Sequence, residues 1–115
     1  MSAITTHVLD VARGRPAANI PVLLEIQESS AAEWRPIGRG TTDADGRLRS
    51  LLPDGDPLLV GVYRLVFNTA QYFANAGVDA FYPRVIIEFE TAPAEAHYHV
   101  PLLLSPFGYS TYRGT

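Results

Sequence analysis

The sequence contains no cysteine. That removes disulfides, thiol nucleophiles and every thiolate metal site, and it fits a reducing compartment. Long apolar runs are missing as well. The longest span only a few residues, against the roughly 20 that a membrane-crossing helix requires. The opening Met-Ser-Ala-Ile-Thr-Thr-His has neither a basic region nor an apolar one, so no signal peptide is expected. The final Arg-Gly-Thr is not the Ser-Lys-Leu peroxisomal address, and a cytoplasmic protein is expected. Net charge is −3, from 9 basic and 12 acidic residues, with the arginines spread along the chain. Phosphate-driven binding needs a clustered basic face, so nucleic acid is not an expected partner. No Gly-x-Ser-x-Gly elbow, phosphate loop or dinucleotide fingerprint occurs, which argues against nucleotide-cofactor enzymes and elbow-type serine hydrolases. Repeats, low-complexity segments and linkers are absent too. A chain of 115 residues fits one domain, residues 1–115, able to bury about two-thirds of its unfolded surface.

What is present reads as strands. Ile4 to Val11 is apolar and β-rich, and Gly14 to Ala18 follows as a loop containing Pro16. Ile20 to Gln27 sets Val22, Leu24 and Ile26 on one face and Glu25 and Gln27 on the other, the period of two of a half-buried strand. Trp34 to Thr42 is a further strand. Thr42-Asp43-Ala44-Asp45-Gly46 is a turn, since Asp bonds locally and Gly tolerates positive φ. Gly46-Arg47 leads into a short segment ending at Pro53, and Pro53 to Pro57 is loop. Gly61 to Asn68 alternates Val62, Arg64 and Val66 against Tyr63, Leu65 and Phe67. Thr69 to Ala76 is the one expected helix, with Thr69 as N-cap and Gly77 as its stop. Arg84 to Glu90, Tyr98 to Leu104 and Tyr109 to Arg113 complete the set. Seven or eight strands and one short helix argue for an all-β, two-sheet β-sandwich.

Only three histidines are available for acid–base work: His7, His97 and His99. An imidazole titrates near operating pH, which suits it to moving protons. On a strand, His97 and His99 leave the same face roughly 7 Å apart. Each is equally compatible with a solvated or hydrogen-bonded sheet histidine. A His-x-His pair plus a distant histidine also permits a three-histidine zinc site. Arg47, locked by the preceding turn, can offer a planar fork to a carbonyl or carboxylate, or can simply be exposed. Asp43-x-Asp45-Gly46 resembles a fragment of a calcium loop, but positions 47–52 supply no acidic ligand, and calcium is rejected. The ending Tyr109-Ser110-Thr111-Tyr112-Arg113-Gly114-Thr115 is unusual. Tails tend to be small and polar and to fray. This one offers tyrosine, arginine, glycine, a hydroxyl and a carboxylate, groups that bind polar rings, or it is a strand that ends the chain.

Three segments together carry a resemblance: Thr6-His7-Val8-Leu9-Asp10, Thr42 to Arg47, and His97-Tyr98-His99-Val100-Pro101-Leu102-Leu103-Leu104-Ser105 running on to Thr115. Gly14-Arg15-Pro16-Ala17-Ala18 and Tyr72-Phe73 fit as well. The chain resembles the transthyretin-like family over nearly its whole length, and within it the branch that hydrolyses 5-hydroxyisourate, an oxidised purine. The Tyr-Arg-Gly ending separates that branch from the thyroid-hormone carriers. The resemblance implies a homotetramer, a dimer of dimers with its sites in the channel where dimers meet, and no cofactor or metal. It also implies catalytic roles for His7, Arg47 and His99, and substrate contacts from His7, Arg47, Tyr112, Arg113, Gly114 and Thr115. His97 precedes the motif histidine. One departure is Thr115, where the family usually ends in serine; threonine keeps the hydroxyl and adds a methyl group. The implied reaction is ring opening to 2-oxo-4-hydroxy-4-carboxy-5-ureidoimidazoline by a histidine-held water. The competing readings are a transthyretin-like small-molecule carrier, a three-histidine zinc hydrolase and a structural β-domain. Consecutive Leu102, Leu103 and Leu104 face both ways on their strand, so a partner subunit is the expected cover for the outer face.

Overall fold

The computed structural model describes residues 2–55 and 57–115. The loop expected over Pro53 to Pro57 includes Asp56, which lies outside them. The first sheet is built on β1 (Ile4–Asp10), which pairs in parallel with β8 (Tyr98–Ser105). Around this pair the order is β2 (Arg15–Pro16), β1, β8 and β9 (Gly108–Thr111), with β5 (Arg47–Leu48) also antiparallel to β1. The second sheet is antiparallel, in the order β4 (Arg35–Thr41), β3 (Pro21–Gln27), β6 (Val62–Phe67) and β7 (Val85–Glu90). Among the described residues a single helix, α1 (Thr69–Asn75), joins β6 to β7. The expected two-sheet β-sandwich is therefore the observed architecture, with seven strands of four or more residues and two of only two among the described residues.

The core forms where the inward faces meet. Ile4, Val8, Leu102 and Leu104 of the first sheet face Leu24, Ile26, Leu65 and Phe67 of the second, all of them buried. Burial of each such side chain contributes about 1.5–3 kcal/mol. Alternation on β6 follows the sequence, with Tyr63, Leu65 and Phe67 inside and Val62, Arg64 and Val66 half-exposed. On the outer face of β3, Glu25 accepts a hydrogen bond from Arg64 Nε at 2.7 Å, and that guanidinium stacks 4.3 Å from the Trp34 ring.

Three local expectations need correction. Arg15 and Pro16, expected in a loop, form a short ladder with Leu9 and Asp10. An edge position tolerates proline because nothing there requires its missing N–H. The helix N-cap is Asn68 rather than Thr69. Thr69 is the first helical residue and is fully buried, and its hydroxyl has no partner among the described residues. The far end matches expectation: Val78 N–H donates to Phe73 O and Gly77 N–H to Ala74 O, a Schellman stop with Gly77 at φ 70°. Finally, the last strand ends at Thr111, not Arg113. The next residue of β8 to be paired is Pro101, which has no N–H, and the ladder lapses there. It resumes in the same register at Gly114, opposite His99.

Candidate active site

The candidate residues His7, Arg47 and His99 gather on the outer face of the first sheet. Its registers bring residues far apart in sequence onto adjacent strands. Parallel pairing sets Thr5 of β1 beside His99 of β8, and antiparallel pairing sets Arg47 of β5 beside His7. Leu48 points into the core, so Arg47 leaves β5 on the outer face, and Arg49 lies one residue past the strand.

Arg47 is held by the turn before it. Asp43 Oδ1 accepts hydrogen bonds from the backbone N–H groups of Asp45 and Arg47, each at 2.9 Å. The Arg47 N–H bond, chiefly, keeps the Asp43 carboxyl below its usual pKa. Gly46 adopts φ 76°, and a Cβ there would lie 2.3 Å from Val8 O, so only glycine closes this turn against β1. Gly46 O in turn accepts from Val8 N–H at 2.8 Å. His7 reaches the same turn, donating from Nε2 to Asp45 O at 2.8 Å. A carbonyl can only accept, so this contact places the proton of a neutral His7 on Nε2 and leaves Nδ1 bare.

His99 is half-buried. Its Nδ1 lies 2.8 Å from Thr5 Oγ1, and the same hydroxyl lies 3.3 Å from His97 Nε2. Burial, followed by the positive field of Arg47, holds the His99 pKa below its ordinary 6.5; His7, His97 and Arg49 act in the same direction. The ring is therefore neutral at neutral pH and able to accept a proton. The tail packs on it: Gly114 N–H donates to His99 O at 2.8 Å, and a Cβ at Gly114 would come within 2.6 Å of His99 Cδ2.

A cavity of about 300 Å³ opens here, lined by Thr5, Thr6, Arg47, Arg49, His97, His99 and Thr115. Tyr112 and Arg113 do not line it. They face a neighbouring groove of about 230 Å³ that reaches the other side of His99. There Arg113 stacks 4.8 Å from the Tyr98 ring and pairs with Glu95 at 3.4 Å. The sequence reading missed Thr5 and Arg49. Thr5 sits two residues from His7 on β1, a spacing that puts it on the same face, and Arg49 lies two residues beyond Arg47, just past the end of β5. Among the described residues no three histidine or carboxylate side chains are arranged to hold a metal. One nitrogen of each histidine is instead engaged, by Asp45 O for His7 and by Thr5 Oγ1 for His97 and His99.

A sequence profile described as the HIUase/Transthyretin family matches residues 4–114. The chain belongs to this family. It is 47% identical over 116 residues to 5-hydroxyisourate hydrolase 2 of Rhizobium meliloti, covering 97% of this chain and 95% of that one. It is 43% identical over 119 residues to the 5-hydroxyisourate hydrolase of Caulobacter vibrioides, covering all of both. Among solved structures, Klebsiella pneumoniae 5-hydroxyisourate hydrolase superimposes over the full length of both chains, with TM-score 0.83 and 35% identity. Transthyretin from Sparus aurata gives TM-score 0.87 and 31% identity over 99% of this chain and 97% of its own. Backbone shape thus matches both kinds of family member. What distinguishes them must be sought in the side chains of the outer face.

Proposed function

We propose that this family member is a 5-hydroxyisourate hydrolase, a cytoplasmic enzyme of urate degradation whose residues 1–115 act as one hydrolase domain. The observation that carries the reading is the convergence of His99 and Arg47 on one polar cavity, with His7 paired to Arg47 and Thr115 on the rim. The substrate is a flat, polar ring system whose carbonyl must be attacked by water. His99, kept neutral by burial and by the arginines, takes the proton from that water as it attacks. The Arg47 fork, fixed by its turn, binds the carbonyl oxygen and stabilises the negative charge that develops on it. His7 offers its bare Nδ1 to hold the water. Thr115 completes the pocket, and Gly114 lets the tail lie against the His99 ring. Tyr112 and Arg113 contact substrate from the adjoining groove. No metal or cofactor enters this scheme.

The assembly proposed with this reading is a homotetramer, a dimer of dimers with the outer faces opposed. Leu9 and Leu103, half-buried on that face beside His7 and His99, support a protein cover over the cavity. A carrier of apolar small molecules is the second reading, and the likeness to transthyretin favours it. Two arginines and two histidines around the cavity favour a polar ligand instead.

The decisive experiment is an ultraviolet time course of 5-hydroxyisourate generated in place by urate oxidase. Decay well above the spontaneous rate is expected. Decay at the spontaneous rate from a folded tetramer would overturn the proposal and leave the carrier reading.

A further inference from the structure

We propose that Thr5 and His97 form a proton relay behind His99, carrying off the proton that His99 takes from the attacking water. The inference rests on the hydrolase reading and adds two residues to it.

The observation is a buried hydroxyl between two imidazoles. Thr5 is 3% exposed, and its Oγ1 lies 2.8 Å from His99 Nδ1 and 3.3 Å from His97 Nε2. A hydroxyl has one hydrogen, so it donates to one ring and must accept from the other. Two states result. In the first, His99 Nδ1–H donates to Thr5 and Thr5 donates to a bare His97 Nε2. In the second, every hydrogen bond is reversed. Only the first leaves His99 Nε2 bare, and Nε2 is the ring nitrogen not engaged by Thr5. The tautomer needed for catalysis is therefore set by Thr5, and through it by His97.

The same contacts move the proton onward. As the water oxygen bonds to the substrate carbonyl carbon, one water O–H breaks and its proton goes to His99 Nε2. The Nδ1 proton then passes to Thr5 Oγ1, and the threonine's own hydrogen passes to His97 Nε2. His99 is neutral again, with its proton on Nε2 aimed at the departing ring nitrogen. When that nitrogen takes it, the chain of transfers runs back and restores the first state. No heavy atom need move and no further reactant is required.

Surroundings give the transfer its direction. Arg47 of β5, Arg49 just past it, His7 of β1 and His97 all face His99, while Glu88 and Glu90 of β7 and Arg113 lie across the groove on its other side. An imidazolium at half-buried position 99 is disfavoured by burial and by the two arginines. At position 97 the side chain is exposed and the charge is hydrated. His7 cannot serve as the outlet through Nε2, which Asp45 O occupies.

The test compares Thr5→Val, which keeps shape and removes the hydroxyl, with Thr5→Ser, which keeps the hydroxyl. Thr5→Val should lower kcat about 10-fold or more, within the range of acid–base contributions, with KM little changed. Thr5→Ser should stay near wild type. His97→Ala should also lower kcat, free imidazole should restore part of it, and Thr5→Val/His97→Ala should be no slower than Thr5→Val alone. An unchanged kcat in Thr5→Val, an equal defect in Thr5→Ser, or additive losses in the double variant would each overturn the relay. Wild-type turnover is measured alongside: its absence would count against the hydrolase reading. Nitrogen NMR titration gives a readout independent of turnover. The neutral His99 ring should be the Nδ1–H tautomer in wild type and should lose that preference in Thr5→Val. An Nε2–H tautomer at His99 in wild type would refute the inference.

Discussion

In the proposed mechanism His99 answers to two demands at once: it must be neutral to accept a proton, and it must be fixed to accept it from one direction. Burial and Arg47 meet the first, while Thr5 Oγ1 and the Gly114 backbone meet the second. His99→Ala should therefore lower kcat by about 10²-fold or more while far-ultraviolet circular dichroism stays unchanged. Because the His99 pKa is lowered, the base is lost only as pH falls through a value below 6.5, and the acid limb of kcat/KM should lie there. Removing a neighbouring positive charge favours protonation, so in Arg47→Gln the NMR midpoint of His99 should rise toward 6.5. Gly114→Ala would drive a methyl group into the His99 ring. A loss of about 10- to 100-fold in kcat is expected, with little change in urea midpoint, since small misplacements of a reacting group are costly. In the sequence, His7, Arg47 and His99 stood out by residue type and by the segments around them. Thr5 did not, because a threonine in a strand is ordinary until the register shows what lies beside it.

Longer patterns made the strands legible and short ones did not. β3 and β6 announce themselves by alternation over six or seven residues. β2 and β5 have two residues each, too few to show any period, and exist only because β1 offers them an edge. Yet β5 delivers Arg47, so the least legible element is the one that completes the proposed site. Its entry turn depends on Gly46, where any side chain would meet both a positive φ and the Val8 carbonyl. Gly46→Ala should cost at least about 1–3 kcal/mol in urea unfolding and should reduce activity further by misplacing Arg47. The helix is tied to β1 in another way, by Tyr72 Oη donating to the buried Asp10 carboxylate at 2.7 Å. Burial and that carboxylate raise the Tyr72 pKa, so the hydroxyl stays protonated. Tyr72→Phe should destabilise the fold by about 1–3 kcal/mol with kcat nearly unchanged, as measured by denaturant unfolding and the absorbance assay.

At the scale of the whole molecule, the sandwich was readable from periodicity and turn residues, whereas the pairing of its first strand with its eighth was not. Nothing in a local pattern says which distant strand a given strand will meet. Beyond the outer face of the first sheet, Phe81, Tyr82, Phe107 and Tyr109 are exposed aromatics. Leu103→Glu should split the proposed tetramer into smaller species in sedimentation velocity and abolish turnover, while circular dichroism keeps its β signature. A tetramer that survives this change would place the interface elsewhere.

The parallel pairing of β1 with β8 also governs when the protein can begin to work. Thr5 and His99 are separated by 94 residues of chain. During synthesis the first strand leaves the ribosome long before its partner exists, and at about 5–20 residues per second that wait lasts several seconds. β1 is then an open edge, and pairings so remote in sequence form slowly even after release. The second sheet, whose strands pair over shorter distances, can form first and hold the growing chain together. The proposed catalytic face closes last, so a truncated product lacking β8 should be inactive and should carry an exposed strand that chaperones must guard.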